Sequence, residues 1–279
     1  MSPSQGLTHD GWRFALASVM GTSHTRSGLP CQDASVCEIL ALPPGETLIA
    51  IAADGAGSAS LSHVGSTETC RFVLDRIRTL LISTNNVESI SREVAVKIVT
   101  DARSNLQNLA QQSCISPRDL ACTLLVAIVA PTSAAFFQVG DGALIVGPRS
   151  DPGDFSWVFW PERGEYANTT VFISDEAVQD HLMHDLVPGS VDELAVLTDG
   201  IQSLVLDYKE RSVHTPFFRQ MMGPLRVRQE TGSISDLSAS LATYLDSKRV
   251  NERTDDDKTL ILASRRLPDG LDEPRTRHE

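Results

Sequence analysis

The sequence of 279 residues is poor in positive charge, in paired cysteines and in long apolar runs. Its 24 lysines and arginines stand against 36 aspartates and glutamates, which gives a net charge of −12. General binding of nucleic acid or of an anionic membrane is therefore not expected, because both need a basic surface. No apolar run reaches the roughly 20 residues that span a bilayer, and Met1–Asp10 lacks the basic and then apolar order of a signal peptide. We expect a cytoplasmic protein.

The cysteines are odd in number and form no CxxC pair; they are Cys31, Cys37, Cys70, Cys114 and Cys122. Neither a disulfide framework nor a thiolate zinc site is indicated. Cys31 and Cys70 also lack the arginine spacing of a cysteine-dependent phosphatase loop, so a cysteine nucleophile is not expected. We expect reduced thiols that are mostly buried.

Strand-type runs occur in consecutive series, and helical stretches occur in pairs. The predicted strands are Trp12–Ser18, Ala34–Leu40, Thr47–Ala53, Ala121–Val129, Ala134–Val139, Ala143–Val146, Phe155–Trp160, Thr169–Ile173, Glu193–Leu197 and Thr259–Ala263. The predicted helices are Leu61–Ile82, Glu88–Gln112, Pro216–Met222 and Ile234–Ser247, and the predicted loops include Gly21–Asp33 and Lys248–Lys258. This order favours a layered α+β domain over a doubly wound parallel sheet. We expect one domain over residues 1–267 and a solvated tail over residues 268–279.

Aspartates recur where apolar strands begin or end. Asp54, Asp141 and Asp199 each follow an apolar run and precede a glycine, Asp256 lies just before the last strand, and Asp33 lies just before the second. One such pair could be an ordinary Asp-Gly turn. Carboxylates gathered at one end of a sheet would repel one another unless cations neutralised them, and oxygen ligands favour magnesium or manganese over zinc. Two such ions can share a water and direct it at phosphorus, so the pattern indicates hydrolysis of phosphate esters.

Six short motifs carry these aspartates and their neighbours in a fixed order along the chain. They are Cys31-Gln32-Asp33, Ala53-Asp54-Gly55-Ala56-Gly57-Ser58, Cys122-Thr123-Leu124-Leu125, Val139-Gly140-Asp141-Gly142, Leu197-Thr198-Asp199-Gly200 and Asp256-Asp257-Lys258-Thr259. From about Trp12 to Ala263 the sequence resembles the metal-dependent protein phosphatases of type 2C, especially their shorter bacterial branch. The resemblance implies a central sandwich of two antiparallel β-sheets flanked by pairs of α-helices, a four-layer αββα fold with the metals at one end.

The resemblance also implies a role for each residue at the metal centre. Asp54 would bridge two Mn²⁺ or Mg²⁺ ions, and the carbonyl of Gly55 would bind the first of them. Asp199 and Asp256 would hold the second ion, and Asp33 would act through a water ligand. The implied reaction is hydrolysis of phosphoserine and phosphothreonine in proteins by a water that bridges the two ions.

A third, weaker metal site is implied at Asp141, shared with Asp199. The sequence departs from the family pattern at several neighbouring positions: Gln32 replaces a glutamate, Ala56 replaces a histidine, and Asp257 replaces an asparagine. All five aspartates predicted as metal ligands are nevertheless present. We therefore expect an active enzyme, with a metal-bound water in place of the histidine as general acid.

The phosphate-binding arginine of the family would fall on Gly28, five residues before Asp33. His24 or Arg26, in the same loop, is the candidate to bind the substrate phosphate instead. We favour His24, because Gly21-Thr22-Ser23-His24 resembles the corresponding loop of the bacterial branch. An ordinary loop histidine is the alternative.

Two other functions are consistent with the same residues. One is a degenerate phosphatase fold that binds phosphoproteins or a kinase without turnover, which the missing arginine and Ala56 would suit. The other keeps the metal centre but hydrolyses a small phosphate metabolite. The partners that the resemblance implies are phosphorylated proteins and, by analogy alone, a cognate serine/threonine kinase.

Overall fold

The computed structural model describes residues 11–148, 154–161 and 170–265. Within these residues the strands are β1 (Arg13–Val19), β2 (Ala34–Leu42), β3 (Gly45–Ala53), β4 (Leu124–Val129), β5 (Ser133–Val139), β6 (Ala143–Pro148), β7 (Ser156–Trp157), β8 (Met183–Pro188), β9 (Val191–Leu197), β10 (Leu206–Asp207), β11 (Ser212–Val213), β12 (Gly232–Ser233) and β13 (Lys258–Ser264). The helices are α1 (Thr22–Ser27), α2 (Ser62–Thr84), α3 (Arg92–Gln112), α4 (Gln202–Val205), α5 (Thr215–Arg226), α6 (Ser235–Leu245) and α7 (Lys248–Asn251). The segment Met1–Asp10 and the predicted tail over residues 268–279 lie outside the described residues.

Two sheets form the centre of the fold. The first has the strand order β12-β1-β13-β9-β6-β7, and the second has the order β2-β3-β4-β5-β8. Neighbouring strands run antiparallel, apart from the two-residue β12, which is parallel to β1. A separate short ribbon joins β10 and β11.

Strand β3 shows why a continuous apolar run was needed at the centre of the fold. Ile49 and Ile51 face the helices α2 and α3, whereas Ala50 and Ala52 face the other sheet. Because successive side chains of a strand point to opposite faces, a strand covered on both sides has no polar alternation. The prediction of a doubly covered strand over Thr47–Ala53 is confirmed.

Three layers of core hold the four structural layers together. One lies between α2, α3 and the second sheet, one between the two sheets, and one between the first sheet and α5 and α6. The predicted α+β sandwich with flanking helix pairs is therefore confirmed. Among the described residues, no helix has both the length and the apolar character that crossing a bilayer requires.

Several predicted loops and strands differ from the structure. The loops Gly21–Asp33 and Lys248–Lys258 contain the short helices α1 and α7. The predicted strand Thr169–Ile173 is wrong, since its described residues, 170–173, have no strand structure. Strand β8 went unpredicted because it is an edge strand, whose half-exposed residues need not be apolar.

The cysteines are all free thiols, as the sequence predicted. Cys70 and Cys122 are buried, Cys31 and Cys37 are half-buried, and Cys114 is exposed. The expectation of mostly buried thiols is therefore right for two of the five. Burial raises the pKa of Cys31 and of Cys122 to about 12, which leaves both as unreactive neutral thiols at pH 7.

Candidate metal centre

A pocket of about 190 Å³ at one end of the sandwich brings four predicted ligands together: Asp54, Asp141, Asp199 and Asp256. We refer to it as the acidic pocket. The strand register explains the convergence. The last residue of β3 pairs with the first of β2, the last of β5 with the first of β4, and the last of β9 with the first of β6. These strand ends therefore meet at one edge of the two sheets. Gly55 lines the same pocket.

Thr123 fixes the backbone of Asp54 from the neighbouring strand. The Asp54 N–H donates to Thr123 Oγ1 at 2.9 Å, and the Thr123 N–H donates to the Asp54 carbonyl at 2.8 Å. The next residue, Gly55, makes an isolated bridge with Cys122. This reciprocal pairing sets the direction in which the Asp54 side chain leaves the sheet.

Asp33 lies beneath the pocket and does not line it. Its side chain is buried, and its Oδ2 accepts a hydrogen bond of 2.8 Å from Thr198 Oγ1. The same hydroxyl accepts from the Thr259 N–H at 3.0 Å. Burial raises the pKa of Asp33 to about 7, and the charges of Asp257 and Asp199 add to the effect, while the hydrogen bonds from Thr198 and Thr259 act in the opposite direction.

The pKa is raised for three of the carboxylates that line the pocket, those of Asp54, Asp199 and Asp256. Burial is the main cause for Asp54, whose pKa lies well above its usual value, and the charges of Asp33 and Asp199 follow. Burial likewise raises the pKa of Asp199 to about 6, with contributions from Asp141 and Asp256. The pKa of Asp256 is raised by burial as well. This cluster is electrostatically strained in the absence of a positive charge.

The available oxygens fit hard divalent cations. One carboxylate oxygen of Asp33 and one of Asp199 are buried without a hydrogen-bond partner, which is costly unless a positive group approaches. Across residues 11–148, 154–161 and 170–265, no three His, Cys, Asp or Glu side chains are arranged to enclose an ion unaided. An ion at this pocket would need waters to complete its coordination, and magnesium usually keeps several of them.

Asp257 connects the segment from Gly21 to Gln32 to this centre. Its Oδ1 accepts from the Gly21 N–H at 2.6 Å, and its Oδ2 accepts from the Gln32 N–H at 2.5 Å. Both acceptors belong to a carboxylate that is 3 % exposed, next to Asp256 in sequence. The acidic group at a position where the family has asparagine thus anchors both ends of the segment that carries α1.

Neither predicted substrate-binding residue lines the pocket. His24 is buried, and its Nδ1 lies 2.9 Å from Asp257 Oδ2. Because Asp257 follows Asp256 in the sequence, this contact places His24 beside the centre. Arg26 is 69 % exposed and pairs with Asp255 at 3.0 Å on the surface. A role of either residue in binding phosphate stays a prediction.

Two of the glycines that follow the predicted ligands are required for different reasons. Gly142 has a φ of 109°, a left-handed conformation that residues with a Cβ rarely adopt. At Gly200 a Cβ would lie 1.9 Å from the Asp257 carbonyl oxygen. The first glycine therefore makes the turn after Asp141, and the second lets the Asp199 and Asp256 segments touch.

Other residues of the pocket were not identified from the sequence. Thr170 Oγ1 donates to Asp141 Oδ2 at 3.0 Å, and Phe172 forms part of the wall. The supporting roles of Thr123 and Thr198 were also missed, although both belong to the motifs around the aspartates. Their hydroxyl groups beside a predicted ligand were the available signal.

The family model described as protein phosphatase 2C matches residues 20–246. The chain belongs to this family. It is 36 % identical over 258 residues to serine/threonine-protein phosphatase 3 of Escherichia coli (strain K12), covering 90 % of this chain and 98 % of that one. The predicted enzyme class, a serine/threonine protein phosphatase of type 2C, is the class of this family.

Solved structures of the same class share the fold at low sequence identity. The phosphatase Stp1 from Staphylococcus aureus matches with a TM-score of 0.56 and 16 % identity, covering 90 % of this chain and 94 % of that one. The catalytic domain of the phosphatase PstP, solved in complex with two manganese ions, matches with a TM-score of 0.55 and 13 % identity over 91 % and 98 % of the two chains.

Proposed function

We propose that the protein hydrolyses phosphoserine and phosphothreonine in other proteins, with two Mn²⁺ or Mg²⁺ ions held at the acidic pocket. The observation that carries the proposal is the convergence of Asp54, Asp199 and Asp256, each with a raised pKa, on one pocket. Membership of the protein phosphatase 2C family supports the reaction class. The manganese ions of the PstP structure support the choice of metal.

The residues that would hold the ions are the ones that the family resemblance implies, and all of them except Asp33 line the acidic pocket. Asp54 and the Gly55 carbonyl would hold one ion, and Asp54, Asp199 and Asp256 the other, with Asp33 acting through a water. When bound, the ions would neutralise the phosphoryl oxygens and lower the pKa of a water for in-line attack.

Asp141 and Asp199, which line the same pocket, would hold a third ion. Thr170, which donates to Asp141 Oδ2, would orient that carboxylate. Thr123 would fix Asp54, and Thr198 would favour the ionised form of Asp33 by donating to its carboxylate.

His24 would take part in binding the substrate phosphate from beside Asp256. Its Nδ1 is occupied by Asp257, which fixes the ring and leaves Nε2 as the atom for the substrate. Arg26, at the surface, would attract the phosphate or the acidic residues around it.

A binding module without catalysis is disfavoured by the cost of the cluster. Buried carboxylates that raise one another's pKa destabilise a fold, and a module that never binds metal would gain nothing by keeping them. The alternative substrate, a small phosphate metabolite, is distinguished from a phosphoprotein by comparing kcat/KM for a small phosphate ester and a phosphopeptide.

The test uses the purified protein with p-nitrophenyl phosphate and a phosphothreonine peptide, in EDTA and then in Mn²⁺ or Mg²⁺. We expect turnover only with metal and a higher kcat/KM for the peptide. Asp54→Asn and Asp199→Asn should each lower kcat at least about 100-fold with the fold intact by circular dichroism. Asp101→Asn, on α3 and outside the acidic pocket, is the matched control. Undiminished turnover in both pocket variants, or none with any metal in folded protein, overturns the proposal.

A further inference from the structure

Two adjoining cavities lie on the helix-covered face of the first sheet, one between α5 and α6 and the other between α5 and α7. The first cavity, of about 320 Å³, is mostly apolar and reaches down to the strands β1 and β13. Its walls include Met221, Leu225, Leu237, Leu241 and Leu262. We refer to it as the apolar pocket. Its volume lies in the range of small-molecule sites, at the lower end.

The helix α5 contains a proline where it borders the apolar pocket. Pro224 lies inside the helix and lines the apolar pocket. Proline has no N–H, so it cannot donate to the carbonyl of Gln220 one turn earlier, and its ring pushes that carbonyl away. The same turn contains Gly223, which has no side chain to fill the space.

The second cavity adjoins the first and carries positive charge. It has a volume of about 370 Å³ and shares Gln220, Met221 and Tyr244 with the apolar pocket. Arg249, Arg253 and His214 lie in its wall, and we refer to it as the cationic pocket. Within the described residues, no aspartate or glutamate lines either pocket. In a chain with a net charge of −12, such a patch is a local exception.

The two arginines are not neutralised by their surroundings. Lys248, which precedes Arg249 on α7, pairs with Glu252 at 3.7 Å. Arg249 and Arg253 make no ion pair with any residue in the described part of the chain. Their guanidinium groups are thus available to an anion, and each presents a fork that matches a carboxylate or phosphate.

Tyr244 provides a polar contact at the junction of the two pockets. Its ring packs beside Phe217 at 6.3 Å between centroids. Its hydroxyl makes no hydrogen bond within the residues that the structure describes. The pockets together therefore have apolar walls and a few convergent polar groups, which is the usual composition of a small-molecule site.

We propose that the two pockets bind one amphipathic organic anion, with an aromatic or acyl body in the apolar pocket and an anionic head at Arg249 and Arg253. A peptide is disfavoured as the occupant, because the apolar pocket offers few partners for backbone N–H and carbonyl groups. Its polar wall residues are Gln220, Ser240 and Tyr244, and the hydroxyl of Ser240 already donates to the Asp236 carbonyl. This inference does not depend on the phosphatase chemistry.

The test compares two fluorescent probes that share a body and differ in charge. 8-Anilinonaphthalene-1-sulfonate carries the anionic head, and N-phenyl-1-naphthylamine lacks it. We expect the full-length protein to bind the sulfonate, and the double variant Arg249→Gln/Arg253→Gln to bind it at least about tenfold more weakly. Binding of the neutral probe should change less than about twofold in the same variant.

Lys248→Gln is the matched control, since it removes a positive charge from the same helix outside both pockets. It should leave both affinities within about twofold of the wild type. Decanoate should compete with the sulfonate probe, and an acidic leucine-containing peptide should not. Equal sulfonate affinity in the wild type and the double variant overturns the proposal, and so does displacement by the peptide at lower concentration than by decanoate.

Discussion

Asp257 Oδ2 lies 2.9 Å from His24 Nδ1, and this contact joins residues 233 positions apart in the sequence. The same carboxylate accepts the backbone N–H groups of Gly21 and Gln32. It therefore holds α1 against the loop that carries Asp256. We infer that Asp257 positions the segment around the metal centre without itself holding a metal.

Replacement of Asp257 should separate its anchoring role from its charge. Asp257→Ala leaves two backbone N–H groups without an acceptor, and we expect the free energy of unfolding to fall by about 2–4 kcal/mol. Asp257→Asn keeps one acceptor oxygen and should lose less than half as much. Urea denaturation monitored by circular dichroism measures both. An alanine variant as stable as the wild type would show that these contacts are not formed in solution.

Thr198→Val tests the support of Asp33. Valine has nearly the same shape but cannot donate to Asp33 or accept from the Thr259 N–H. We expect a loss of about 1–3 kcal/mol in stability for the unpaired N–H. Because the hydrogen bond from Thr198 lowers the pKa of Asp33, its loss should move the acid limb of the kcat/KM profile to higher pH.

Thr198→Ser is the control for this change, since it keeps the hydroxyl. Its pH profile should coincide with that of the wild type within about 0.2 pH units, in keeping with an unchanged hydrogen bond. A valine variant with an unshifted acid limb would contradict the assigned role of the Thr198 hydroxyl.

Sequence patterns predicted the elements that depend on burial and on strand ends. The apolar run of β3 and its termination at Asp54 are local features, so the sequence shows them directly. The same holds for Asp141 after β5 and Asp199 after β9. Because register places these strand ends at one edge, recognition of the strands was enough to predict the acidic pocket.

Elements that depend on distant partners were not predictable in this way. Helix α1 has six residues, too few for stability alone, and its Ser23 N–H donates to the Asp255 carbonyl. The bond from Thr198 to Asp33 spans 165 positions, and that from Gln32 to Asp257 spans 225. The local sequence places Thr198 and Gln32 beside predicted ligands, but it does not specify their distant partners, which only the fold brings together.

Stability of the metal-free protein should fall as pH rises from about 5 to 7.5. The pKa is raised to about 7 for Asp33 and to about 6 for Asp199, against 3.8 when unfolded. Between these values the folded state binds more protons than the unfolded state, so the free energy of unfolding decreases with pH. Thermal unfolding in EDTA should give a lower Tm at pH 7.5 than at pH 5.

The variant Asp199→Asn tests the contribution of one of these two carboxylates to the pH dependence of stability. The Tm of the variant should fall by less than that of the wild type over the same pH range, because the amide that replaces the Asp199 carboxylate does not ionise. Addition of Mn²⁺ at pH 7.5 should raise the Tm of the wild type by several degrees and that of the variant by less, since the ion binds the folded state. A wild-type Tm in EDTA that is constant or rises with pH would contradict the raised pKa values.

Removal of the buried ion pair between Arg226 and Glu193 should lower the stability of the fold without lowering catalytic activity. Arg226 donates Nε–H and an Nη2–H to the two oxygens of Glu193, each at 2.7 Å, at the opposite end of β9 from Asp199. Arg226→Met leaves a buried carboxylate without its bidentate partner, and we expect a loss of about 3–5 kcal/mol in stability. The double variant Arg226→Met/Glu193→Leu should recover most of that loss.

Since neither residue lines the acidic pocket, kcat/KM at 20 °C should stay within about twofold of the wild type as long as the variant is folded. A large fall in kcat/KM in a folded Arg226→Met protein would show that the two ends of the first sheet are coupled.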